Sequence, residues 1–395
     1  MKHLLLTTLL TMGLLNTSVH GQEQRILIDG KDRDGTRHVT PLADGGYVLT
    51  GWTNGNATKK DGEGWLVRVD QQGKVIWQKR FANQLKTKRG AQTSTHVVDR
   101  DGSIIMALEE YRSKGAYLAT GSNGRATLKR FSADGELLHE KVMGGSGINV
   151  IDIVIPLENS NYLMAGETTS PIQKGYDGWI FETDRQFNVI WDTKVGGFGV
   201  ERFNGVIQTP DGGYLAAGRT TNDIGDFRAW LVKLDGKGEV QWQQRYRHEH
   251  YANTIRQVLP TKNGGWVFAG FIKNEPQDPD PRNLWIGAVD SDGKLLWDKA
   301  LGGGGADVAY VLTQANDGTF VAAGSTKAVN SENSDAYIVG FNADGKVLYE
   351  RRHGEADASE IVRGITPYKA SGYVLSGNYE VKATGQQDAW LLKVE

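Results

Sequence analysis

No cysteine occurs among the 395 residues. That absence excludes disulfides and a lipid-modified N-terminal cysteine, so stability has to come from packing and chain closure. Proline is scarce at 9 residues beside 51 glycines, a balance that suits many tight hairpin turns. Neither sign of charge dominates: 45 Lys and Arg against 47 Asp and Glu leave a formal −2. Such a chain has no field for drawing in nucleic acid or an anionic membrane, and neither partner is expected. Beyond residue 21 no segment is apolar enough to span a bilayer. A Gly-x-x-x-x-Gly-Lys phosphate loop and a Gly-x-Ser-x-Gly nucleophile elbow are both missing.

The first residues differ in kind from the rest. Met1-Lys2-His3 is a short basic start, and Leu4 to Leu15 is an apolar stretch of signal-peptide length. Val19 and Gly21 stand at the −3 and −1 positions of a cleavage site before Gln22. The expectation is a signal peptide over 1–21 and a single exported domain over 22–395, periplasmic or secreted if the source is bacterial.

What the chain has in abundance is one phrase, repeated. Asp44-Gly-Gly-Tyr-Val-Leu-Thr-Gly51 returns as Asp211-Gly-Gly-Tyr-Leu-Ala-Ala-Gly218 and as Asn263-Gly-Gly-Trp-Val-Phe-Ala-Gly270, with weaker copies elsewhere. Taking Tyr47, Ile104, Tyr162, Tyr214, Trp266, Phe320 and Tyr373 as markers, the steps are 57, 58, 52, 52, 54 and 53 residues. A period near fifty in a strand-rich pattern indicates a propeller.

Each copy parses into four strands. In the fourth, Asn204–Thr209 leads through Pro210-Asp-Gly-Gly213 to Tyr214–Ala217, which Gly218 ends. A variable loop, 220–228, then precedes Ala229–Leu234 and, after Asp235-Gly-Lys-Gly238, Glu239–Tyr246. The last hairpin carries Asp-x-x-Gly-x-x-x-Trp at Asp70/Gly73/Trp77, Asp235/Gly238/Trp242 and, with an extra residue of freedom in the turn, Asp290/Gly293/Trp297. The third copy keeps Asp184 and Trp191 with Asn188 in place of the glycine. An aromatic recurs on the third strand at Trp65, Trp179, Trp230, Trp285, Tyr337 and Trp390, broken only by Thr127. These rings read as a seam between blades. The seventh copy lacks a fourth strand, and Arg25–Asp29 matches one. An all-β, seven-bladed propeller of four-stranded antiparallel blades is expected, its ring closed by the N-terminal strand.

With these turns and hairpins the chain resembles the propeller-repeat proteins that exported bacterial proteins carry, over essentially all of 22–395. The hairpin signature is also distantly similar to the tryptophan-docking repeat of quinoprotein-type propellers, which include quinone-dependent dehydrogenases and an outer-membrane assembly lipoprotein. The resemblance implies the fold and leaves the activity open.

Function is expected on the face carrying the loops after the second and fourth strands, which are long and variable where the Asp-Gly turns are short. Two positions recur there. Asp34, Ala91, Asn149, Glu201, Asn253, Asp307 and Glu360 precede or begin the innermost strand, where six acceptors in seven suit bonding to loop backbone or a cation ring. Trp52, Glu109, Glu167, Arg219 and Phe271, with Ser325 and Asn378, follow the second-strand glycine and do not repeat. Glu109, Glu167 and Arg219 could form an acid–base site or an inter-blade ion-pair network. Trp52 and Phe271 could stack a sugar or peptide, or cover the seam. His248-Glu-His250 lacks a third zinc ligand nearby, Asp32-Arg-Asp34 and Asp278-Pro-Asp280 are fragments of calcium-loop spelling, and Lys86-Thr-Lys-Arg89 is a compact basic cluster.

The reading that follows is a monomeric, exported, non-catalytic propeller that binds a protein, or a glycan or peptide, through its loop-rich face. Trp52, Glu109, Glu167, Arg219 and Phe271 are its candidate ligand-binding residues, and no cofactor, metal or catalytic set is expected. The alternative is a propeller enzyme, a quinone-dependent oxidoreductase or a polysaccharide-processing enzyme, with its site in the central funnel.

Overall fold

A computed structural model describes residues 24–28, 33–54, 62–84, 91–111, 124–145, 147–169, 175–197, 199–221, 227–247, 252–273, 282–302, 305–328 and 331–394. The segment 1–21, His248, His250, the Lys86–Arg89 cluster, Asp32 and Asp278–Asp280 lie outside them, as do large parts of the variable loops in blades 1–5.

The described residues form seven four-stranded antiparallel sheets and no helix. Six sheets are consecutive runs of four strands; the seventh joins the last three strands to Gln24–Ile28, paired with Gln386–Val394 from Ile28↔Ala389 to Gln24↔Lys393. The ring is thus closed by the N-terminal strand, a seven-bladed β-propeller. Arg25 adds ion pairs to Glu355 and to buried Glu360 across this joint.

Seven apolar clusters occupy the seven seams between neighbouring blades, for example Leu215 and Ala217 against Phe268 and Trp285. Trp65, Trp230, Trp285 and Trp390 are all but fully buried in those seams. In three blades the fourth strand supplies an acceptor for the buried indole N–H: Trp65 donates to Gln78 at 2.9 Å, Trp230 to Gln243 at 3.1 Å and Trp285 to Asp298 at 2.8 Å. Across the second and third strands each seam aromatic faces a glycine, as in Gly51↔Trp65, Gly218↔Trp230 and Gly377↔Trp390. In blade 2 the pair is Leu108↔Thr127, the bulk moved to the other strand.

Five details of the strand parse change. Gly218 does not end its strand, which runs Tyr214–Thr221, and the third strand starts earlier, at Phe227. The innermost strand of blade 4 is Arg202–Gln208. The Asp290 turn has no extra residue: Gly293 N–H donates to the Asp290 carbonyl at 3.1 Å, as Gly238 does to Asp235. In blade 3 the left-handed turn position belongs to Phe187 (φ 59°), not to Asn188. Its ring is fully buried, 6.2 Å from that of Tyr162 and 5.4 Å from that of His139, so packing offsets a conformation that otherwise favours glycine.

Candidate functional site

The innermost strand of every blade carries one bulge against the second strand, and the register skips Arg37, Ser94, Asp152, Asn204, Arg256, Tyr310 and Arg363 in turn. A bulge leaves its extra residue unpaired and re-aims its side chain. Here all seven line one cavity of about 120 Å³ on the propeller axis; the other lining residues, among them His38, Thr95 and Gln257, each directly follow a bulged one. At about 10–15 Å³ per water, the cavity has room for roughly ten waters or a small ligand.

The second-strand glycines belong to this bulge. A Cβ on Gly51, Gly218, Gly270, Gly324 or Gly377 would come within 1.9 Å of the carbonyl oxygen of Gly35, Arg202, Thr254, Val308 or Ile361 respectively. In these blades the backbone of the bulged strand presses on the second strand and glycine lets it approach, whereas blade 2 makes the same bulge opposite Leu108.

The axial residues differ from blade to blade, and they divide by charge. Blades 5, 6, 7 and 1 contribute Arg256, Tyr310, Arg363 and Arg37. The Arg363 guanidinium lies 3.8 Å from the Tyr310 ring centre; Arg256 lies 5.7 Å from the same ring and 5.6 Å from that of Phe271, and Arg282 lies 5.8 Å from that of Phe271. Aromatic faces hold a guanidinium in place without neutralising it. Besides these rings, Arg256 donates to Asn204 Oδ1 at 3.2 Å, Arg37 donates to Gln92 Oε1 at 2.7 Å and Arg363 bonds the Tyr310 hydroxyl. Among the described residues none of Arg37, Arg256 and Arg363 makes a direct ion pair with a carboxylate. Burial, then the neighbouring Arg219 and Arg363 charges, pull Arg256 down to about 10 against the pull of Tyr310 and Asp152, which still leaves a cation at neutral pH. Burial raises the Tyr310 phenol, but the charges of Arg363, Arg282 and Arg256 outweigh it and lower the group overall.

The opposite wall is acidic. Asp152 is held by Arg202, which donates from Nε at 2.6 Å and again from Nη2. Behind Asp152 stand buried Glu109 and Glu167; Gln92 donates to Glu109 Oε2 at 2.8 Å, and Arg202 Nη1 lies 3.6 Å from Glu167 Oε1. The Oε2 atom of Glu167 is buried without a hydrogen bond. Burial pushes Glu167 up to about 8, Arg219 opposing and Glu109 adding. Burial, then Glu109 and Glu167, push Asp152 up as well. The Arg202 fork opposes that push by stabilising the charged form of Asp152, whereas Glu167, with one oxygen left without a hydrogen bond, keeps its proton more readily.

The residues singled out from the sequence stand one strand further from the axis. Glu109, Glu167 and Arg219 are brought together around Asp152. Arg219 lies 4.4 Å from the Phe227 ring centre. Phe271 serves Arg256 and Arg282 as a platform. Trp52 stands apart in blade 1 and packs against Gly35, where an added Cβ would come within 2.9 Å of its indole. The acceptor ring before the innermost strands bonds within its own blades: Thr168 donates to Asn149 Oδ1 at 2.8 Å, Thr220 to Glu201 Oε1 at 2.9 Å, Thr326 to Asp307, and Gly197 N–H to Glu201 at 3.2 Å. It is a blade-fastening ring, and no group of acidic and histidine side chains among the described residues is placed to hold a metal ion. The axial ring itself was overlooked, although each member stands ten residues before its blade's marker.

The fold defines the class, a seven-bladed β-propeller. No protein-family model and no curated protein matches the chain. Among solved structures it is similar to a sialidase of Trypanosoma rangeli in complex with the inhibitor DANA, with 6% identity and a TM-score of 0.50 over 92% of this chain and 55% of that one. A Streptococcus pneumoniae NanB sialidase mutant (10% identity, TM-score 0.47, 92% and 68% covered) and a glucose dehydrogenase (13%, 0.43, 94% and 99%) are also similar. The chain spans about half the length of the Trypanosoma rangeli sialidases it matches. At these identities the likeness concerns the fold alone.

Proposed function

We propose that this propeller binds a small ligand on its axis, gripping an anionic group with Arg37, Arg256 and Arg363. One observation carries the reading: Arg256 and Arg363 line the channel against aromatic faces and Arg37 is held by the Gln92 amide, yet among the described residues none of the three has a direct ion pair with a carboxylate. Crowded cations with no carboxylate in direct contact are costly, and an anion from outside offsets that cost. The planar N–H edges left free suit a carboxylate or an oxyanion. A protein or glycan partner fits the same reading where it presents an anionic terminus to the channel. We further propose that the chain works as an exported monomer, periplasmic or secreted, on the strength of the Leu4–Leu15 stretch and the propeller-repeat resemblance. Isothermal titration of acetate, phosphate and sulfate at low salt tests the axial site. Arg256→Gln and Arg363→Gln each should weaken the best-bound ion at least tenfold; unchanged binding in the double variant would refute the reading.

A catalytic use of the same channel is the second reading, favoured by the acidified Tyr310 phenol facing a wall that stores a proton near Asp152. Screening a glycoside panel and quinone-dependent dye reduction tests it. Turnover lost in Tyr310→Phe supports catalysis; turnover that survives there, or none on any substrate, sinks it.

A further inference from the structure

The two walls of the channel are of opposite character, and they are set by different blades. Arg37, Arg256 and Arg363 belong to the arc of blades 5, 7 and 1, with Tyr310 between them in blade 6. Asp152 belongs to blade 3, flanked on the axis by neutral Ser94 and Asn204. An anion alone would use only the first wall. Asp152 presents a carboxylate to the cavity while Arg202 holds it from behind, so the group is pre-oriented toward the axis. Behind it, Glu109 and Glu167 bring two further carboxyl groups into the same buried patch. Arg202 and Arg219 stand beside these carboxyl groups, and the charges of Arg256 and Arg37 also reach Asp152 from the other wall. One wall thus offers a carboxylate to a positive group, and the other offers guanidiniums to a negative one. A cavity this size sets the two walls within the span of one small molecule.

Resting on the reading of an axial anion site, we infer that the ligand is a zwitterion, its carboxylate on Arg256 and Arg363 and its ammonium on Asp152. Such a ligand satisfies both walls at once, and an ammonium is the group with three donors and a full charge to offer an acidic wall. A hydroxyl would satisfy acceptors but leave the charge, and a plain carboxylate would leave the acidic wall facing an alkyl chain. Proton linkage follows from the same arrangement: an ammonium at Asp152 favours ionisation of Glu167 behind it, so binding should expel a proton.

The test uses the full chain and a ladder of ω-amino acids from glycine to 5-aminopentanoate, each titrated against the unsubstituted acid and the ω-hydroxy acid of equal length. At the best-fitting length the amino acid should bind at least tenfold more tightly than either analogue. Asp152→Asn should narrow that gap to less than threefold. Titration at pH 7.5 in buffers of different ionisation enthalpy should show net proton release for the amino acid and none for the plain acid. Should Asp152→Asn not fold, the wild-type ladder and the proton count decide the question. Equal binding of amino acid and plain acid, or a preference for the hydroxy acid, would overturn the zwitterion and leave the anion site standing. If no acid in any series binds, the axial anion reading fails and the zwitterion with it.

Discussion

The Arg363 guanidinium lies 3.8 Å from the centre of the Tyr310 ring, one bulge residue laid over the next around the propeller axis. Arg256 approaches the same ring at 5.7 Å, so Tyr310 positions two of the three axial cations. A cation–π contact contributes about 0.5–2 kcal/mol, with larger values where water is excluded. Tyr310→Leu should therefore weaken sulfate binding about tenfold or more. Tyr310→Phe, which keeps the ring, should lose less. Equal loss in both, by isothermal titration, would assign the effect to the hydroxyl instead.

The buried ionisable groups give stability a maximum in pH. Glu167 is raised from 4.5 to about 8, so the native state holds a proton that the unfolded chain has released. Its contribution is complete below pH 4.5 and is lost as pH rises through about 8, on the order of 5 kcal/mol. Burial lowers His38 from 6.5 to about 4, and burial and then the His38 charge lower His96 too; the rings stand 4.8 Å apart. Their contribution is present above pH 6.5 and is lost as pH falls through about 4. Denaturant unfolding from pH 4 to 9 should show a loss on each side. Glu167→Gln should flatten the alkaline side alone.

Gly218 should tolerate no side chain. An added Cβ would meet the Arg202 carbonyl oxygen at 1.8 Å, and this is backbone in the bulged strand that cannot yield without moving Asn204. Gly218→Ala should lower stability by more than about 2 kcal/mol and weaken axial binding as well. Gly212, with φ 80° in a turn and open space around it, should cost less on the same change, although its backbone is left-handed. The comparison is made by urea unfolding.

Removing the residues up to Ile28 should open the ring. Ile26 and Ile28 are 8% and 1% exposed, and the strand's pairing with Gln386–Val394 would be left as a bare edge. A loss of about 4–6 kcal/mol is expected from the two isoleucines, with self-association through the unpaired edge. Thermal unfolding and light scattering of the truncated chain check both.

The architecture was legible because the repeat carries it in residues that recur: Asp-Gly turns, seam tryptophans, and the incomplete seventh copy matched by Arg25–Asp29. The exception was not legible: Thr127 stood only as a break in the aromatic series, and the pairing shows that Leu108 opposite it keeps the summed bulk of a glycine opposite a tryptophan. The site was legible only in part. Glu109, Glu167, Arg219 and Phe271 stood out because they fail to repeat, and they do gather beside the axis. Yet the axial ring fails to repeat just as plainly at Arg37, Asp152, Arg256, Tyr310 and Arg363. It went unread because an alternating strand has no place for a bulge, and it is the extra residue of the bulge that turns to the channel. The second-strand glycine was the available sign, read as a strand end when it marks close backbone approach.

The central claim, an anion held on the axis by bulge-ring arginines, is tested most directly by anomalous diffraction from crystals of the protein soaked in selenate. The expected result is a selenium peak in the channel within hydrogen-bonding reach of Arg256 and Arg363, absent from the Arg256→Gln/Arg363→Gln double variant. A channel without selenium in the wild type, at selenate concentrations that label other sites, would contradict it.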